Sequence, residues 1–132
     1  MPPLSGYSLL MVGAGGALGA ILRYVVSREA ALWCPDYIGL GTLIVNVIGC
    51  LAIGYLAGSG LEHRWMSHHT RLLLVTGILG GLTTFSALSL ETVLMARHPP
   101  AMWWGGLHAV ANFTCGITAV LLGEWLARRL GG

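Results

Sequence analysis

Four stretches of this chain carry almost no charge, and each is long enough to cross a bilayer. Met1 to Leu22, Ile38 to Ser59 and Leu72 to Leu90 contain no Asp, Glu, Lys or Arg; Pro99 to Gly123 is interrupted only by His108 and small polar residues. A spanning helix needs roughly 20 apolar residues, because lipid offers nothing to satisfy a bare backbone, so the runs predict four transmembrane helices. Composition agrees: 55 % of the 132 residues are hydrophobic and 9 % charged, against roughly 25 % charged in soluble domains. The longest polar stretch, GLEHRWMSHHTR, has twelve residues, so residues 1–132 read as a single all-α, four-helix membrane domain.

The first run lacks the positively charged start of a secretory signal and leads at once into another span, so it is expected to be retained. Cys34, Cys50 and Cys115 have no paired spacing and say nothing of redox compartment. A net charge of +2, with no basic run among aromatics, does not point to nucleic acid.

All seven basic residues are arginine. With four crossings, Arg64, Arg71, Arg128 and Arg129 fall on one side and Arg23, Arg28 and Arg97 on the other. Cytoplasmic loops normally hold an excess of basic residues, and four against three is hardly an excess. Insertion in both orientations follows, with an antiparallel dimer about an axis in the membrane plane as its natural assembly. The competing arrangement is a parallel oligomer with a weak orientation signal.

Small residues recur at helical spacing: Gly15 and Gly19, with Gly16 and Ala20 on the adjacent row, and Gly54 and Gly58 in the second span. Such faces allow close backbone approach, either within one subunit or between subunits. Polar residues also align. Thr42 and Asn46 share a face of span two, while His108, Asn112 and Gly116 form a stripe on span four, with Thr114 and Thr118 a second. A lone asparagine reads as interhelical glue, but two polar stripes together point to a hydrophilic track. His108 also lies close enough to Trp103 and Trp104 to read as an interfacial residue.

Span three contains GGLTTFSALSLE at 80–91. Gly80 and Gly81 are expected to open the helix near mid-membrane, and Thr83, Thr84 and Ser86 to cap a new helical start. A break at that depth survives only where the freed backbone meets protein, water or an ion. Glu91 follows as the only carboxylate associated with a span interior, either bearing protons or standing at the mouth of a vestibule. His63, His68 and His69 lack the accompanying carboxylates or thiols of a metal site.

GGALGAILRY at 15–24, GTLIVNVIGC at 41–50 and GILGGLTTFSALSLE at 77–91 together resemble the Fluc fluoride channels, also called the CrcB family. The resemblance covers nearly the whole chain and implies an antiparallel, dual-topology homodimer in the cell (inner) membrane. It implies passive, fluoride-selective export through two pores, with a structural sodium ion (Na+) at the dimer centre. Carried over residue by residue, it assigns the sodium to the backbone carbonyls of Gly80 and Thr83. It assigns the fluoride pathway to Asn46, Thr42, Glu91 and Phe85, with hydroxyls such as those of Thr84 and Ser86 as further donors. Fluoride is small and tightly hydrated, so strong donors and the electropositive edge of an aromatic ring have to replace its water. The chain departs from the common pattern at Leu88, where many members carry a second phenylalanine, and at His108 and Asn112, where a tyrosine and a serine are common.

Two rival classes are weaker. A small four-span multidrug transporter needs a buried acid in its first span, which this chain lacks. A non-transporting membrane accessory protein would need its polar stripes only for packing. No nucleophile and base are placed together, so an enzyme is not indicated.

Overall fold

The computed structural model describes residues 5–60, 66–97 and 102–131, and every regular element among them is helical. His63 and Arg64 lie outside the described residues. Helix α1 (Gly6–Trp33) begins at Ser5, whose hydroxyl accepts the Ser8 amide at 3.1 Å and satisfies one donor of the first turn. Helix α2 (Leu40–Gly58) is followed by Ser59 and by Gly60 at φ 64°, a left-handed conformation suited to glycine. Helix α3 (residues 68–82) starts from a Ser67 cap. It then widens into a π-wound stretch over Leu72–Leu79 and closes with the turn Gly80–Leu82. Helices α4 (Phe85–Ala96) and α5 (Met102–Leu130) complete the chain.

Among the described residues, four helical segments have the length and apolarity of membrane spans: Gly6–Trp33, Leu40–Gly58, His68–Ala96 and Met102–Leu130. The protein is therefore a multi-pass, all-helical membrane protein. Its helices outrun the charge-free stretches. α1 continues past Arg23 to Trp33, and α5 past Glu124 to Leu130. Charge ends a hydrophobic run without ending a helix, and local pairs accommodate it. Arg28 meets Glu29 at 2.7 Å, Arg128 bonds Glu124 one turn back, and the Arg129 guanidinium lies 5.4 Å from the Trp125 ring centre.

The small-residue faces pack within the subunit. α1 lies against α3 so closely that a Cβ on Gly15 would sit 2.3 Å from the Leu73 carbonyl oxygen, and one on Gly19 would sit 2.2 Å from that of Ile78. α2 meets α5 in the same way, with a Gly54 Cβ falling 2.2 Å from the Val120 carbonyl oxygen. The residues buried along α5 are Gly105, His108, Asn112, Gly116, Ala119, Gly123 and Ala127, a stripe at three- and four-residue spacing. Large apolar side chains such as Ile21, Val110 and Leu121 face outward, as expected where lipid is the solvent and small residues make the helix contacts.

Candidate ion pathway

Between α3 and α4 lie Thr83 (φ −80°, ψ 153°) and Thr84 (φ −152°, ψ 123°), both extended. The glycines do not open the backbone, contrary to expectation. Gly80 is helical at φ −65°, ψ −34°, and no described residue in α3 has positive φ. Gly81 serves close packing, since a Cβ there would lie 2.6 Å from the Gly16 carbonyl oxygen. The β-branched threonines, which favour extended backbone, leave the helix instead.

Side chains satisfy the backbone released at this point. Thr84 N–H donates to Asn46 Oδ1 at 2.9 Å, and Asn46 Nδ2 donates to the Thr84 carbonyl at 3.3 Å. The same Nδ2 donates to Asn112 Oδ1 at 3.0 Å. Thr84 Oγ1 caps α4 by accepting the Ala87 amide at 3.2 Å, and Ser86 Oγ stands 3.2 Å from that hydroxyl. Thr83 Oγ1 donates to the Leu79 carbonyl at 2.9 Å. In an uninterrupted helix the Thr84 and Ala87 amides would close on Gly80 and Thr83. Their diversion takes the helical donor away from those two carbonyls.

A second polar group adjoins the first. Thr42 Oγ1 donates to Glu91 Oε1 at 2.7 Å, and His108 Nε2 lies 3.2 Å from Glu91 Oε2. Asn112 Nδ2 donates to the His108 carbonyl at 3.0 Å, which joins the Glu91 group to the Asn46 group. Tyr37, in the connection between α1 and α2, places its hydroxyl 2.9 Å from His108 Nδ1. Burial first and the Glu91 charge second raise this hydroxyl above the ordinary phenol range, so it stays protonated at neutral pH. His108 is 1 % exposed and bonded into the interior polar cluster. Backbone approach encloses it: a Cβ on Gly39 would lie 2.2 Å from the imidazole Cε1.

Both carbonyl-bearing residues, Gly80 and Thr83, line an open groove of about 500 Å³, with Asn46, Thr84, Phe85 and Asn112 on its other walls. Phe85 is 69 % exposed at the groove in the single chain, whereas Leu88, which also lines it, is buried. Residues 10–124 match the family model for CrcB-like protein, Camphor Resistance (CrcB). The chain belongs to the CrcB-like family.

Curated relatives agree. A fluoride-specific ion channel FluC of Hyphomonas neptunium is 43 % identical over 92 % of this chain and 95 % of that protein. Similarly named proteins of Clostridium perfringens and Roseiflexus sp. are 41 % and 42 % identical, covering 92 % and 93 % of this chain and 94 % and 98 % of their own lengths. In this CrcB-like chain, the predicted site residues Thr42, Asn46, Thr84, Ser86, Glu91, His108 and Asn112 form one connected polar cluster, while Thr114 and Thr118 face outward.

Two neighbours of the cluster escape a reading by spacing. Tyr37 reaches His108 from a connection 71 residues away in sequence. Phe113 lies beside Phe85, with ring centres 6.3 Å apart and planes at 63°. Its only sequence signal is adjacency to Asn112.

Proposed function

We propose that this CrcB-like protein is a fluoride-selective channel that passively exports fluoride across the cell (inner) membrane. The observation that carries this reading is the continuous run of hydrogen bonds, through side chains and backbone, from Glu91 through His108 and Asn112 to Asn46 and Thr84, beside a groove that bears the exposed Phe85 ring. An anion in the groove would take the Asn46 Nδ2 hydrogen now shared with Asn112, leaving the contacts to Thr84 in place. Purified protein in fluoride-loaded vesicles, with an ionophore carrying the counter-charge, tests the proposal. Rapid fluoride release with chloride retained supports it, and retention of fluoride by folded protein defeats it.

The groove is open on one side in the single chain, and we place a second, oppositely oriented copy there. In that homodimer the Thr83–Thr84 interruption sits near mid-membrane, and the Gly80 and Thr83 carbonyls of both copies hold a structural sodium ion. The diverted amides of Thr84 and Ala87 fit this role, because hard cations take oxygen ligands. Single cysteines introduced in the polar connections should be labelled from both sides of the membrane. Labelling of each from one side alone would refute the dual orientation.

Phe85 is expected to supply the ring edge. Phe85→Leu should lower fluoride release more than about tenfold, equivalent to roughly 1.4 kcal/mol. Leu88→Phe should change it less, since it adds bulk at a buried position and mainly costs stability, about 1–3 kcal/mol. Equal release from Phe85→Leu and the parent protein would remove the ring from the pathway.

A further inference from the structure

We propose that Asn46 is a positioning residue for the cation site: by holding both backbone groups of Thr84, it leaves the Gly80 carbonyl without a helical donor and free for sodium. The inference rests on the sodium reading above and concerns how the chain creates a ligand from a helix that would otherwise consume it.

A helical peptide bond offers a cation little, because its carbonyl already accepts the amide four residues on. Two amides have to be removed to free Gly80 and Thr83, and different side chains remove them. Asn46 takes the Thr84 amide at 2.9 Å and returns a hydrogen to the Thr84 carbonyl at 3.3 Å. A carboxamide presents a donor and an acceptor on one planar group and so matches a residue's N–H and C=O together. Leucine has the size and neither group. Thr84 Oγ1 takes the Ala87 amide at 3.2 Å, which removes the donor that Thr83 would otherwise receive.

Register makes the capture possible. Asn46 and Gly49 lie three apart on α2, and a Cβ on Gly49 would overlap the Thr83 methyl at 2.2 Å. Bare backbone at Gly49 therefore admits Thr83, and this brings Thr84 within reach of Asn46. Gly80 itself has an open side, with only the Val75 carbonyl 3.8 Å from a Cβ position. That leaves room for an approaching ion in the groove that Gly80 and Thr83 both line.

The test reads stability and does not depend on transport. Wild-type protein in detergent is melted in sodium chloride and in choline chloride at equal ionic strength, and a higher Tm in sodium is expected. Asn46→Leu should reduce that sodium-dependent shift by more than half. Asn46→Ser, whose short hydroxyl cannot span both Thr84 groups, should do the same and serves if the leucine variant does not fold. A full sodium shift in Asn46→Leu or Asn46→Ser would overturn the positioning role while leaving the sodium site standing. No shift in the wild type would overturn the sodium reading, and this inference with it.

Discussion

Asn46→Asp is expected to cut fluoride release from loaded vesicles about a hundredfold at neutral pH, equivalent to roughly 2.7 kcal/mol. The substitution preserves size and the oxygen that accepts the Thr84 amide. It turns the nitrogen that donates to the Thr84 carbonyl at 3.3 Å and to Asn112 Oδ1 at 3.0 Å into a second oxygen facing both acceptors. Two attractive contacts become repulsive, and a carboxylate stands on the proposed anion path. Protonation of the new side chain restores one donor and removes its charge, so release should recover in part as the pH is lowered. Ion-electrode measurements over a pH series, with protein-free vesicles subtracted, read both effects. Release equal to wild type at neutral pH from stably folded protein would return Asn46 to a packing role.

Gly19→Ala is the second change with a large expected effect, and it acts on the fold. A Cβ at this position would lie 2.2 Å from the Ile78 carbonyl oxygen and 2.8 Å from the Leu82 nitrogen, both backbone atoms of α3. Neither can rotate away as a side chain could, so α1 and α3 have to separate. Overpacking of this kind costs about 1–3 kcal/mol or more, and Tm in detergent should fall by several degrees. Gly13→Ala, on the same helix, meets nothing within 4 Å. It should be neutral or slightly stabilising, since alanine is the better helix former. Matching losses in the two variants would show that α1 and α3 do not pack as closely as described.

The four spans were legible because lipid excludes charge, and hydropathy records that exclusion directly. Their ends were not. Glu29 beside Arg28, and Glu124 one turn before Arg128, allow a helix to run on after its apolar run has stopped. The opening expected at Gly80 and Gly81 falls at the extended Thr83 and Thr84 instead. Glycine permits a break without requiring one; here Gly80 stays helical, and Thr83 and Thr84 leave the helix, with Asn46 holding the Thr84 backbone. Thr42, Asn46, Glu91, His108 and Asn112 could be picked out singly as polar residues in greasy surroundings. That Tyr37 and Phe113 stand beside them depends on how the helices pack, which no local pattern encodes.

The fit of the Thr83 methyl over bare backbone at Gly49 restricts how this chain can vary over evolutionary time. The clearance at position 49 is already used up, so a bulkier residue at position 83 cannot be relieved by shrinking its neighbour. A side chain at position 49 would push Thr83 outward and carry Thr84 away from Asn46, so one substitution would disable two residues it does not replace. Positions 46, 49, 83 and 84 are thus coupled, so that the effect of a change at one depends on the residues at the others.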